Sequence, residues 1–440
     1  MGRLFGTDGV RGVANRGLTP ELALSLGRSA AKILKQGKSG EIYIGRDTRI
    51  SGDMLEAALV AGITSAGANA VLLGVVPTPG VAHLVRAEGA LAGVVISASH
   101  NPMEDNGIKF FSGDGFKLSD ELEDEIAARL EDRSNLPIGR EIGRVRRDEE
   151  AWLRYGRHLA GLGVPLHGLR VVVDCANGAA WQVAPWVLRE LGADCLAINA
   201  APNGININVG CGSTHPEQLQ QAVLAHGAQV GLAHDGDADR LIAVDEKGQV
   251  VNGDQILAIC ALHDLEKGLL PKNTVAATVY SNLGLHLALK ARGGKVLVTK
   301  AGDRYVLEAM LRENLKLGGE QSGHVIFLDY STTGDGIITA LQLLRIMIRS
   351  GRPLSELAAQ MPMVPQVLLN VPVRSKAWEG NPAIQEVIGR VAGRLGGDGR
   401  IFVRSSGTES LIRVLAEGLE EDLVKEAAAE VAAVIKRELG

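Results

Sequence analysis

Short β-branched runs alternate with helical patterns along most of this chain, and that rhythm does more than any other feature to limit its fold. EIYIG (41–45), AVLLGVV (70–76) and ALAGVVISAS (90–99) read as strands, with SGDMLEAALVAGITSAG (51–67) as a helix between the first two. The pattern returns in LRVVVDCANG, WQVAPWVLRELG, DCLAIN, PEQLQQAVLAHG and AQVGLAHD, and again in DQILAICALHDLEKG, TVAATVY, NLGLHLALKARGG, KVLVTK and DRYVLEAMLREN. The strand runs are continuous rather than alternating in polarity, as suits strands buried on both faces of a mostly parallel sheet. Ser51 is the expected N-cap of its helix. The stretch from Ala57 to Val85 carries no Asp, Glu, Lys or Arg, but Gly62, Gly67, Gly74, Pro77 and Pro79 punctuate it. It reads as a buried helix to about Gly67, a strand and a VPTPG loop, not as a membrane span.

Length alone, at roughly 150 residues per domain, suggests about three domains. The pattern gives four: 1–150, 151–252, 253–364 and 365–440. GRVRRDEE (143–150) is a charged bridge, 252–254 separates the second block from the third, and MPMVPQ (361–366) is the clearest linker. Beyond it the order becomes strand, helix, strand, strand, helix. The expected architecture is therefore α/β: three related units with mostly parallel mixed sheets, and a smaller α+β C-terminal domain, around a central cleft.

Composition narrows the function. With 46 basic and 51 acidic residues, net charge −5, the chain lacks the basic field that a nucleic-acid coat needs. Glycine is abundant (55 of 440) and aromatics are scarce (3%), which points to many tight turns and close backbone approaches around ligand loops. Cys175, Cys195, Cys211 and Cys260 form no CxxC pair, so a zinc ribbon or thioredoxin motif is excluded and a reduced, cytoplasmic chain is expected. The opening MGRLFGTDGVRG has no signal-peptide core, and Gly6 stands where myristoylation needs Ser or Thr.

Four loops carry chemistry. In HDGDADR (234–240), Asp235, Asp237 and Asp239 alternate on a tight turn between apolar runs and can converge on one hard cation such as Mg²⁺ or Ca²⁺. Glu246 falls at the twelfth position of an EF-hand count, but Arg240 occupies the sixth, where Gly is required, and the flanks look like strands. An Asp-rich solvated turn is the bland alternative. In ISASHNPMEDNGIKFF (96–111), Ser99 follows a buried strand, at the carboxyl end where open α/β sheets bind ligands; the alternative is a serine that merely caps a turn before Pro102. No GxSxG elbow or complete P-loop occurs. GGEQSGH (318–324) offers a carboxylate, a hydroxyl and an imidazole among glycines, suited to sugar hydroxyls and proton movement. RSSGTES (404–410), with Arg413 on the next strand, has the makings of a phosphate nest. Either loop could also be an ordinary surface turn.

Taken in order, FGTDGVRG, RDTRISG, SASHNP, NGIKFF, SGDGFKLSD, DGDADR, GGEQSGH and RSSGTES resemble the α-D-phosphohexomutase superfamily over the full length of the chain. The FGTDGVRG opening and the EQSGH loop are most similar to its glucosamine branch. The resemblance implies interconversion of glucosamine 6-phosphate and glucosamine 1-phosphate through a 1,6-bisphosphate, feeding UDP-N-acetylglucosamine synthesis. By position, Ser99 would carry a phosphoryl group and, with Asp235, Asp237 and Asp239, hold Mg²⁺. Glu320 and Ser322 would read sugar hydroxyls, and Arg404, Ser406, Gly407 and Thr408 would dock the non-reacting phosphate. Lys109 and His324 match proton-transfer positions, and Arg11 and Arg240 match cleft arginines. A hexose 1,6-bisphosphate is the implied activator and a small sugar phosphate the implied partner, with a homodimer allowed and no role for nucleic acid or membrane. Ser410 departs from the pattern, since that position is often Pro. The rival readings are glucose or mannose mutase activity within the superfamily, a serine-dependent metal phosphohydrolase, and a sugar-phosphate or Ca²⁺ binding module.

Overall fold

The computed structural model describes residues 3–6, 8–35, 40–406 and 410–440. The chain forms two compact units, Met1–Tyr280 with Gly294–Gln360 and Ser281–Gly293 with Met361–Gly440.

Three mixed sheets build the first unit. Strands β1 (Val10–Val13), β2 (Glu41–Arg46), β3 (Asn69–Val75), β4 (Ala92–Ile96), β5 (Asp105–Ser112) and β6 (Val145–Arg147) lie in the order β1-β5-β4-β2-β3-β6, with β4, β2, β3 and β6 parallel. The second sheet has β7 (Arg170–Asp174), β8 (Asp194–Ile198), β9 (Val230–His234), β10 (Leu241–Asp245) and β11 (Val250–Val251), in the order β11-β10-β9-β7-β8. The third has β12 (Thr274–Thr278), β13 (Lys295–Thr299), β14 (Leu317–Gly319) and β15 (Val325–Phe327), in the order β13-β12-β14-β15. Crossover helices connect the parallel strands, and the fully buried runs of β4, β9 and β10 explain why these segments lack polar alternation.

In the second unit, β16 (Gln366–Pro372), β17 (Arg400–Ser405) and β18 (Leu411–Glu417) form an antiparallel sheet in the order β16-β18-β17, covered by helices Pro382–Leu395 and Glu421–Leu439. Helix Leu283–Lys290, drawn from the middle of the chain, belongs to this unit: Asn282 exchanges hydrogen bonds with Val364, donating from Nδ2 to its carbonyl at 2.9 Å and accepting from its N–H at 3.0 Å.

Three local readings are corrected. Ser51 is the first residue of helix Ser51–Ser65, not its cap; Ile50 holds the cap position in helical geometry, and the Ser51 hydroxyl accepts from Asn106 Nδ2 at 2.9 Å. The last three residues of VPTPG start helix Thr78–Glu88, with only Val76 and Pro77 left as a connection; Pro79 fits the first turn because its missing N–H has no partner there in any case. The charged bridge at 143–150 contains β6, an exposed edge strand; all of its side chains face solvent, so its pairing is carried by the backbone and leaves no hydrophobic signature.

Helices Pro20–Lys35 and Ser51–Ser65 cross at two glycines. A Cβ on Gly62 would sit 2.1 Å from the Leu24 carbonyl oxygen, and one on Gly27 would sit 2.6 Å from that of Leu59. Gly62→Ala should therefore lower stability by about 1–2 kcal/mol despite its better helix propensity, because the backbones must separate; urea denaturation checks this, and a stabilised variant would contradict the tight crossing.

Candidate active site

Ser99 lies three residues beyond β4, in the left-handed region (φ 52°), a conformation that costs a non-glycine residue roughly 1–2 kcal/mol. Its surroundings fix it there. Its N–H donates to Ser97 Oγ at 2.9 Å, and its carbonyl accepts from Arg49 Nη2 and Asn208 Nδ2, both at 2.9 Å. Arg49 is itself fully buried and paired with buried Asp47 at 2.9 Å, and Asp47 also accepts from Ser97 Oγ at 2.6 Å. Burial pushes the Asp47 carboxyl up, and the Arg49 guanidinium opposes that rise.

The Asp turn joins β9 to β10. Ala238 takes positive φ (58°), and Gly236 lets the turn press on the serine loop: a Cβ there would meet the Ser99 carbonyl oxygen at 2.5 Å. Ser99 Oγ donates to Asp235 Oδ2 at 2.5 Å. Asp235, Asp237 and Asp239 each present an oxygen within 4.8 Å of the others, all buried. Burial, with the charges of Asp239 and Asp237, pushes Asp235 well above the usual carboxylate range. Asp237 Oδ1 and Asp239 Oδ1 are buried without a hydrogen-bond partner. Crowded carboxylate oxygens with unused lone pairs fit a small hard cation such as Mg²⁺. An EF-hand is excluded, because the flanks are strands and Glu246 is engaged with Ser355.

Cations from other segments surround this turn. Lys109, on β5, is buried and donates to Asp237 Oδ2 at 3.0 Å while lying 3.1 Å from Asp8. Burial alone would depress its ammonium, but Asp237 and Asp8 more than offset this and raise it. Thr78 Oγ1 donates to the same Asp237 oxygen at 2.7 Å. Lys117 bridges Asp8 (2.8 Å) and Asp303 (2.5 Å), and Arg11 pairs with Asp8. Burial would raise Asp8, yet Lys109, Lys117 and Arg11 hold it well below the usual range.

A cavity of about 440 Å³ opens on this cluster, with Arg11, Asp239, Arg240, Glu320 and His324 on its wall. The last two come from the tip of the β14–β15 hairpin, closed by Glu320 N–H to the His324 carbonyl at 3.0 Å. Burial raises the Glu320 carboxyl, and Ser322 Oγ is buried with no hydrogen-bond partner. His324 lies 3.5 Å from both Asp239 and Asp303. Burial would lower the imidazole; Asp239, then Asp303 and Glu320, raise it to about 9. His234, beside the turn, is different: burial lowers it to about 4, and its Nδ1 faces the Arg240 carbonyl at 3.2 Å.

A clasp that sequence reasoning missed spans residues 334–336. Gly334 N–H donates to His324 Nε2 at 3.1 Å, leaving Nδ1 to carry the proton of the neutral ring. Gly336 N–H donates to the Ala238 carbonyl at 3.0 Å. Between them, Asp335 caps helix Gly336–Ser350 and accepts from the buried Tyr155 hydroxyl at 2.6 Å. Asp8, Arg49, Thr78, Lys117 and Asp303 were also missed. Asp8, Arg49 and Lys117 stand inside FGTDGVRG, RDTRISG and SGDGFKLSD, but the lysines beside Asp8, the Ser99 carbonyl that Arg49 holds and the Asp303 that Lys117 meets are remote in sequence.

The first unit thus brings together Ser99, Lys109, Asp235, Asp237, Asp239, Arg240, Arg11, Glu320 and His324, with Ser322 on the same hairpin tip. Arg404 and Ser406 lie in the second unit. Arg404 sits directly opposite Arg413 on the paired strands β17 and β18. Ser406 is buried, and its carbonyl accepts from Lys376 Nζ at 2.7 Å. Gly407 and Thr408 lie outside the described residues.

Residues 2–136, 158–248, 252–364 and 368–434 match, in turn, the Phosphoglucomutase/phosphomannomutase alpha/beta/alpha domains I, II and III and the C-terminal domain. A Phosphoglucomutase/phosphomannomutase family protein from Burkholderia thailandensis shares the fold with a TM-score of 0.83 at 24% identity, covering 99% of this chain and 98% of that one. The N-acetylphosphoglucosamine mutase of Aspergillus fumigatus, solved with GlcNAc-6P and magnesium, gives 0.70 at 19% identity, covering 98% of this chain and 95% of its own. The chain therefore belongs to the phosphohexomutase superfamily. Within it, the chain falls among the phosphoglucosamine mutases: that of Heliobacterium modesticaldum is 57% identical over 99% of this chain and 100% of its own, and that of Desulforudis audaxviator is 58% identical over 99% and 98%.

Arg49→Met should cost about 3–5 kcal/mol, since it strands Asp47 in the interior; a calorimetric scan in which the variant melts like the parent would remove Arg49 as the anchor of the serine loop. Tyr155→Phe keeps the ring and removes one hydrogen bond to Asp335, so stability should fall by about 1–2 kcal/mol. Chemical denaturation monitored by circular dichroism measures it, and an unchanged midpoint would count against the clasp.

Proposed function

We propose that this enzyme interconverts glucosamine 6-phosphate and glucosamine 1-phosphate by lending out a phosphoryl group stored on Ser99. The observation that carries the reading is the buried Ser99 hydroxyl, held on a strained loop 2.5 Å from Asp235 within a three-carboxylate turn. Each of four segments, 1–150, 151–252, 253–364 and 365–440, supplies one loop to the reaction.

The sugar's 1-hydroxyl attacks the phosphorus on Ser99, the P–Oγ bond breaks, and the hydroxyl proton leaves to a neighbouring base. The resulting 1,6-bisphosphate turns end for end. Ser99 Oγ then attacks the phosphorus at position 6, that P–O bond breaks, the sugar oxygen takes a proton, and glucosamine 1-phosphate departs. Such transfers depend mainly on positioning and electrostatics. Asp235, Asp237 and Asp239, with an oxygen of the Ser99 phosphoryl group, would hold Mg²⁺, whose role is to gather the developing negative charge.

Lys109, kept charged between Asp237 and Asp8, suits charge compensation. At ~4 Å and an effective dielectric of ~20, each opposite pair contributes about 4 kcal/mol before desolvation. His324 moves the proton at Nδ1. Arg11 and Arg240 draw the phosphorylated sugar into the cavity that Glu320 lines, and Glu320, with the unpartnered Ser322 hydroxyl of the same hairpin tip, reads its hydroxyls. Arg404, Ser406, Gly407 and Thr408 dock the phosphate that is not being transferred. A hexose 1,6-bisphosphate primes Ser99. Four free cysteines suit a reducing cytoplasm.

Incubation with glucose 1,6-bisphosphate should add one phosphoryl mass to the intact chain, at Ser99. Ser99→Ala should take up none and show no turnover, with an unchanged far-ultraviolet spectrum; conversion that survives in this variant sinks the proposal. Asp237→Asn should weaken Mg²⁺ binding more than it raises the KM for sugar. Arg404→Ala should raise KM about 10- to 100-fold, the value of hydrogen bonds to a charged group; steady-state kinetics with unchanged KM would remove that arginine from the dock.

A further inference from the structure

We propose that a second cavity, at the base of the hairpin that carries Glu320 and His324, binds a small dianionic phosphate ester. The cavity encloses about 250 Å³ between the C-terminal halves of helices Gly253–Glu266 and Gly336–Ser350 and the open end of the β14–β15 ladder. None of its residues takes part in the chemistry described above.

Two donors on its wall have no hydrogen-bond partner, although Asp264 and Asp329 also line it. Gln342 is 7% exposed, and its Nε2 is buried with no hydrogen-bond partner. Arg345 Nε is in the same state, while its Nη2 is spent on the Leu162 carbonyl at 2.6 Å. A buried donor left unmade costs roughly 1–3 kcal/mol, so two of them facing one space call for a ligand rich in acceptors.

The charges point the same way. Lys316 pairs with Asp329 at 2.8 Å, and the field of Arg345 opposes the burial that raises Asp264. Lys267 and Arg349 also line the cavity, and neither has a carboxylate ion-pair partner among the described residues. Two positive charges thus remain over after the acids are matched. The volume corresponds to roughly eight waters, enough for a phosphate with a three-carbon tail and too little for a nucleotide.

The elements that bound this space end at the catalytic loops. The Leu317–Phe327 pair lines the cavity, and the Gly319–Val325 pair of the same ladder carries the sugar loop. Gly253, at the head of the first helix, donates to the Gln321 carbonyl at 3.0 Å, and Gly336, at the head of the second, docks on the Asp turn. An occupant therefore touches the far ends of the elements that hold Glu320, His324 and Ala238. Any coupling between the two sites must be reciprocal.

Crystals of the full-length protein soaked in sodium tungstate, a dianion with strong anomalous scattering, should show a peak within hydrogen-bond reach of Gln342 Nε2 and Arg345 Nε. In solution, calorimetric titration of Arg404→Ala protein with glycerol 3-phosphate should give a Kd that Gln342→Leu and Arg349→Ala each raise about tenfold. Gln342→Leu removes the buried donor at similar volume; Arg349→Ala alters only an exposed side chain, so the test stands even if the first variant folds poorly. Tungstate confined to the catalytic cavity or the second unit, or a Kd that neither variant changes, would overturn the proposal.

Discussion

Three buried carboxylates crowd one side of a serine hydroxyl, and much of the first unit is arranged around the cost of keeping them there. An isolated buried carboxylate is expensive to ionise, and three together repel one another as well. The rise in Asp235 expresses that cost. The chain offsets it with positive charge from Lys109 on β5 and from Arg240 in the turn itself, while the His324 imidazole of the third sheet packs against Asp239. Removing either of these cations would leave its acid partner uncompensated, so the site and the packing of the three sheets depend on each other.

The same logic explains the layer behind the site. Ser99 stays in an unfavourable backbone region only because Arg49, Asn208 and Ser97 hold its peptide groups. Arg49 can be buried only because Asp47 is buried with it. Gly236 and Gly336 then let backbone meet backbone where side chains would intrude. This accounts for part of the glycine excess, since loops that converge from three sheets leave little room for Cβ atoms.

How much of this is legible in sequence depends on the range of each interaction. The alternating rhythm announces strands and helices because burial on both faces of a sheet writes itself into consecutive residues. The Asp turn is equally readable, since its three carboxylates are spaced locally between apolar runs. Ser99 is locatable as the hydroxyl beyond a buried strand. By contrast, Tyr155, Asp335 and Asp303 look ordinary in the chain, because their partners lie on other sheets and no local pattern records the pairing. The exposed strand β6 is hidden for the opposite reason: it buries nothing, so charged residues can occupy it. Ser51 shows how a good capping residue is diverted once a tertiary partner, Asn106, competes for its hydroxyl.

The division of the chain also bears on its synthesis. Helix Leu283–Lys290 leaves the ribosome well before Met361–Gly440, the stretch with which it forms a unit. Asn282 and Leu283, at the head of this helix, meet Val364 and Glu417 only after the rest of the third sheet has been made. The second unit thus closes only when the C-terminal stretch has been made, long after its first helix.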